Sequence, residues 1–160
     1  TGRVVNDTYF GKIPADRLVV DDKLIYFKID GKFRSKLGLP ARRSLNLCGS
    51  YDSEKGVLTI LWCNRPERPC VYVNGQWGPQ ENPFDGDVIN AYNDGPLEDN
   101  SIMGPFYEIE TSSPGAELAP GEGLTHTQAV VHLQGNDKML APIVQQVFKT
   151  DLEVIKRVFR

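Results

Sequence analysis

Cysteine, histidine, methionine and tryptophan are all scarce: three, two, two and two among 160 residues. Cys48, Cys63 and Cys70 lack the paired short spacing of a zinc site and the density of a disulfide scaffold, so at most one bridge forms. Charge of one sign is missing as well. Basic residues number 18 and acidic ones 21, and the net charge of −3 supplies no broad positive field, which removes nucleic acid as an expected partner. Long apolar runs are absent too: stretches such as Ile60 to Cys63 fall far short of the roughly 18 residues that span a bilayer. No charged segment followed by an apolar one comes after Thr1, so no signal peptide is read. Nor is there a Gly-x-Ser-x-Gly elbow, a phosphate loop, a dinucleotide fingerprint, a His-Glu-x-x-His pair or a calcium loop. Serine hydrolysis and nucleotide chemistry lose their usual sequence support.

What is present fits one folded domain spanning residues 1–160, with 40% hydrophobic and 24% charged residues and no repeat or internal linker. Short β-type segments recur between turn signals. Leu24 to Asp30 alternates and ends in Asp30-Gly31, which predicts a hairpin with Phe33 to Leu39 as its return strand. After the turn Asp52 to Gly56, Val57 to Asn64 is apolar on both faces, as an interior strand requires. Residues Arg65 to Pro105 hold six of the 11 prolines and read as loops, with short strands at Cys70 to Asn74 and Asp87 to Asn93. Phe106 to Ser112 and Leu124 to Gln134 read as a long antiparallel pair. A helical tail is expected over about 137–160, capped at Asn136 or Asp137, with Thr150 and Glu153 as a capping box for a second helix. The expected class is all-β with one or two C-terminal helices.

The candidate chemistry starts from alternation. In Phe106 to Ser112 the two-residue period sets Tyr107 and Ile109 on one face and Glu108 and Glu110 on the other, with the two carboxylates about 7 Å apart. Like charges at that spacing raise one pKa, which suits an acid or base working near neutrality; a solvated acidic face is the plainer alternative. His126 and His132 share a face of the following strand and would neighbour the glutamates if the two strands pair, ready for proton transfer or metal ligation. Around Asp85 to Pro96, Asn90, Tyr92 and Asp94 combine small polar groups with aromatics, and Trp62 and Trp77 add flat apolar surface. Sugars are recognised by that combination, because amides and carboxylates bond hydroxyls while rings cover C–H faces. Asn93, Asp94 and Gly95 read equally well as turn formers. Arg42-Arg43 and Arg65 with Arg68 are short basic spots.

Gly104 to Pro114, Leu118 to Glu122 and Thr125-His126-Thr127 resemble the C-terminal part of galactose mutarotase-like proteins. Glu110-Thr111 matches the Glu-Thr step of the aldose 1-epimerase strand, and Pro120-Gly121-Glu122 its following turn. Gly86 to Pro96 and His132 to Gly135 are similar to an uncharacterised bacterial family within that superfamily. The resemblance implies a β-supersandwich, of which this chain would be the C-terminal half, and a sugar-binding concave face. It implies Glu110 as the base that takes the anomeric hydroxyl proton; the residue patterns above then set Glu108 and His126 beside it and Asn90, Tyr92, Asp94 and Trp77 around the substrate. Where the family carries Gln this chain has Ser112, and no acid histidine matches. The implied partners are a mono- or oligosaccharide and an N-terminal half of the same protein. No cofactor is required; a Ca²⁺ held by glutamates of this face is compatible with the resemblance, as is a periplasmic or secreted location. A non-catalytic sugar-binding or assembly module is the alternative.

Overall fold

A computed structural model describes residues 4–7 and 9–160. Eight strands and two helices follow in order: β1 Leu18–Val20, β2 Ile25–Phe27, β3 Ser35–Pro40, β4 Leu47–Asp52, β5 Val57–Cys63, β6 Asp87–Asn93, β7 Tyr107–Thr111, β8 Gln128–Gln134, α1 Asp137–Phe148 and α2 Leu152–Arg157. They form a two-stranded β1-β2 sheet and two three-stranded antiparallel sheets, β3-β6-β7 and β4-β5-β8. The protein is therefore mostly antiparallel β with two short C-terminal helices.

Alternation along β5 and β6 builds the layers. Leu58 of β5 is buried with Leu140, Val144 and Leu152 of the helices, and Tyr51, Ile60 and Leu133 close around them. The apolar stripe of α1 thus lies on one face of β4-β5-β8. Close approach is needed there: a Cβ on Gly49 would stand 2.6 Å from the ring of Phe148, the last residue of α1. On the other face Cys48 packs against Val88, Ile89, Tyr72 and Leu39, which joins the two larger sheets back to back. Burial pushes the Cys48 thiol up to about 12. All three cysteines are free, so no bridge contributes.

Two expected pairings are corrected. Asp30-Gly31 does turn the chain, with Gly31 at φ +71°, but β2 pairs with β1 and β3 pairs with β6. The reason is a set of long-range bonds. Asn93 accepts from the Gly31 N–H at 3.0 Å and donates to the Phe33 carbonyl at 2.8 Å, which ties the turn to the end of β6. Asp30 is in turn paired with Arg17, so the turn carries the chain from one sheet to the next. The second correction concerns β7 and β8, which belong to different sheets. Glycine and proline turns separate them, and each pairs instead with a more deeply buried strand, β6 for β7 and β5 for β8. Cys70 to Asn74 makes only isolated bridges, Val71 to Gly115 and Tyr72 to Asp85.

At the C-terminus Asn136 caps α1 by accepting from the Met139 N–H at 3.1 Å, and Pro142 lies inside the helix. The Thr150–Glu153 box does not form: Asp151 occupies the cap position, and the Thr150 hydroxyl faces Tyr26. Glu153 bonds Lys156 instead, which also reaches Asp137 across the two helices at 2.5 Å.

Because Leu58 sits at the centre of the helix-facing core, Leu58→Ala is expected to cost about 2–5 kcal/mol in urea denaturation. Leu45→Ala, on an exposed side chain, should change stability by less than about 0.5 kcal/mol.

Candidate functional site

The outer face of β3-β6-β7 carries the polar side chains. Register sets Lys36, Tyr92 and Glu108 in one cross-strand row and Gly38, Asn90 and Glu110 in the next. A register shift between Leu39 and Pro40 places Asp87 opposite Pro40, and its carboxylate lies over Gly38. A Cβ at Gly38 would come within 2.1 Å of Asp87 Oδ2, so only glycine fits beneath it.

Asp87 is 2% exposed, and a carboxylate so buried needs donors. Asn6 Nδ2 donates to Oδ2 at 3.1 Å and the Tyr9 hydroxyl donates to the same oxygen at 2.9 Å. The N-terminal segment is held there by paired backbone bonds between Asn6 and Gly38, 2.8 and 2.7 Å long. Beside this roofed carboxylate the face opens. Lys36 Nζ stands 3.1 Å from Glu110 Oε1 and 5.4 Å from the centre of the Tyr9 ring. The Glu110 side chain remains 46% exposed. Asn90 is only 7% exposed, and its Nδ2 makes long contacts, 3.4 Å to the Ser112 hydroxyl and 3.5 Å to the Asp87 carbonyl.

Aromatic rings wall one side. Tyr92 meets Phe106 at 5.8 Å between centres and Phe10 at 5.9 Å, and Phe10 meets the edge of Trp77 at 6.5 Å. Arg34 covers the other side of Phe10 at 4.2 Å and donates from Nε to the Tyr92 hydroxyl. Trp77 is 86% exposed, a flat ring at the end of the chain of contacts.

Of the residues singled out from sequence, Asn90, Tyr92, Glu108 and Glu110 share this face, and Trp77 reaches it through Phe10. Asp94 is buried behind it. Its carboxylate accepts from the Tyr92 hydroxyl at 2.7 Å and the Gly104 N–H at 2.9 Å. Those bonds, the Gly104 amide first, hold its pKa below the ordinary value, while burial and the same Asp94 contact push the Tyr92 phenol up. Both groups already have their partners, so their work is holding the 95–104 loop in place. His126 is a correction. Its Nε2 lies 2.9 Å from the Thr111 hydroxyl, and Thr111 alternates with Glu110 to point through the sheet to the opposite side. His132 bonds Thr59 at 2.9 Å in the other sheet, and Trp62 belongs to that sheet as well. Neither histidine meets a glutamate.

Among the described residues no group of three or more His, Cys, Asp or Glu side chains gathers as a metal site. The ammonium of Lys36 lies against Glu110 where a Ca²⁺ would have to sit, so the residues of this face do not fit that ion. Sequence reasoning missed Lys36, Asp87, Asn6, Tyr9, Phe10 and Arg34. Asp87 was visible only as part of a polar run, because the register shift that turns it onto this face leaves no mark in the period of β6. The N-terminal segment has no periodicity to read.

Fold and face together define a predominantly antiparallel β protein with a polar sheet face walled by aromatic rings. The chain belongs to the family of unknown function DUF6786, whose model matches residues 1–159. No curated protein and no solved structure matches it. Among the described residues no helix is long and apolar enough to cross a membrane.

The depressed pKa of Asp94 means that its stabilising bonds are complete above its ordinary value of 3.8 and are lost as pH falls through the lowered one. The protection factor of the Gly104 amide against hydrogen exchange should therefore fall in that acid range. In Asp94→Asn the acid step should vanish, and protection should be low at every pH.

Proposed function

We propose that the outer face of β3-β6-β7 binds a carbohydrate and that Glu110 is its general base for exchange at an anomeric centre. The observation that carries the reading is the position of a half-exposed Glu110 carboxylate directly across β6 and β7 from the Asn90 amide, beside the Phe10, Tyr92 and Trp77 rings. Carboxylate and carboxamide bond hydroxyls in a plane, and exposed aromatic surface covers the apolar side of a pyranose ring. Glu108, in the neighbouring cross-strand row, adds a second acceptor. The resemblance of Glu110-Thr111 to the epimerase strand points to the same residue.

A proton taken from the anomeric hydroxyl by Glu110 opens the ring only if another group protonates the ring oxygen, and neither histidine lies on this face. Lys36 also occupies Glu110 until a ligand displaces it. These two observations favour a second reading, a sugar-binding module without catalysis. An N-terminal half of the same protein, the other partner that the resemblance implies, would enter if the isolated chain bound sugar weakly and a longer one bound it tightly.

A thermal-shift titration against mono- and disaccharides separates the readings. A sugar at 100 times its Kd should add about 2.7 kcal/mol to stability, and Asn90→Ala should remove most of that gain. Polarimetry should then show anomeric exchange above background, reduced on the order of 100-fold in Glu110→Gln. Binding without exchange would select the module. No shift with any sugar, in a sample that unfolds cooperatively, would remove carbohydrate from the reading altogether.

A further inference from the structure

The edges of the two larger sheets differ in how they are closed. The outer side of β3 is covered by the Asn6 bridge at Gly38, and the strand ends at Pro40. On β7 the strand carries Glu108 and Glu110. Charge, proline and a covering segment all discourage a further strand from adding. β8 has none of these. Its sequence, Gln128 to Gln134, contains no charged residue and no proline, its seven pairs with β5 run without a register break, and its only strand partner among the described residues is β5. Val130 and Val131, on opposite faces of the strand, are 49% and 43% exposed.

The phase of the ladder shows which backbone groups this edge offers. Beyond the two ends of the β5–β8 pairing, the Gly135 N–H bonds the Gly56 carbonyl and the Asn64 N–H bonds the Thr127 carbonyl, both at 3.0 Å. Antiparallel pairs alternate between bonded and non-bonded rows, so Ala129, Val131 and Leu133 direct their N–H and C=O groups to β5. Gln128, Val130, His132 and Gln134 direct theirs to the open side.

We propose that this edge is a self-association surface, on which β8 pairs antiparallel with β8 of a second copy about a two-fold axis at Val131. In that register Gln128 faces Gln134, Val130 faces His132, Ala129 faces Leu133 and Val131 faces itself. Two properties select it. All four residues with outward backbone groups meet residues with outward backbone groups, so every exposed donor and acceptor of the strand is matched. No cross-strand row sets two acidic or two basic residues opposite each other, so a chain with a net charge of −3 meets its own copy without like charges opposed in the ladder. A two-fold contact of this kind also closes, because it uses up the edge that created it. The result is a six-stranded sheet, β4-β5-β8 continued into β8-β5-β4 of the second copy.

The test is sedimentation equilibrium of the 160-residue chain from about 1 µM to about 1 mM, a range that spans weak to moderate self-association. The expected result is a mass rising from 17.9 kDa toward twice that value and no further. Val130→Pro removes an N–H that points to the open side while leaving the β5 ladder intact, and it should hold the chain as a monomer with an unchanged circular dichroism spectrum. Val131→Lys, which sets two ammonium groups face to face at the axis, should do the same and serves if the proline variant fails to fold. Val131→Cys in a Cys70→Ser background should form a covalent dimer under mild oxidation that Cys70→Ser alone does not form. A wild-type monomer across the whole range overturns the proposal. So do masses beyond the dimer, a dimer that survives both folded variants, or failure of Val131→Cys to cross-link.

Discussion

Burying a carboxylate beneath a chain segment obliges the protein to supply donors from that segment, and Asp87 imposes this demand on the whole site. Its oxygen draws Asn6 and Tyr9 down onto β3, and that descent brings Phe10 against Tyr92 and Tyr9 beneath the Lys36 ammonium. The roof over one end of the sheet face, the aromatic wall beside it and the position of Lys36 all follow from satisfying one group.

The two sides of the molecule are held by different physics. Between β4-β5-β8 and the helices the contacts are Leu58, Leu140, Val144 and Leu152, a dry core whose strength scales with apolar area. Around β6 the buried side chains include Asn90, Asn93 and Asp94, and each of the last two fastens a different loop: the turn at 31–33 and the loop ending at Gly104. Polar fastening of this kind is directional. It fixes where loops go with more precision than an apolar contact does, at the cost of failing as a group when one partner is lost. A face meant to present side chains in set positions gains from that rigidity.

The strands whose identity was legible in the sequence are those whose burial is recorded in their own residues. Val57 to Asn64 announces β5 because both faces are apolar, Asp87 to Asn93 marks β6 to the residue, and Asn136 announces the start of α1. Pairing partners were much less legible. Asp30-Gly31 carries the chemistry of a hairpin, yet Asn93, some 60 residues further on, decides where the turn is fixed, and no local pattern records that. β7 and β8 are joined by turn-rich sequence that suits a hairpin equally well, and their separation follows from each lying against a more buried strand that is remote in sequence. In the site, strand period brought Glu108 and Glu110 to one face, whereas Asn90 and Tyr92 stood out by composition and reach that face through the β6–β7 register. His126 was lost with the mistaken pairing, and Asp87 was hidden by a single shift in register.

Gly38 and Asp87 occupy one volume between them, so neither position is free to vary alone. A side chain at 38 would evict the carboxylate at 87, and loss of that carboxylate would release the N-terminal roof while removing the reason for glycine. Across the family the two positions should therefore change together. Members that keep the pair are those in which this roofed face has been inherited as a unit, and members that lose both mark where the lineage put the same sheet to another use.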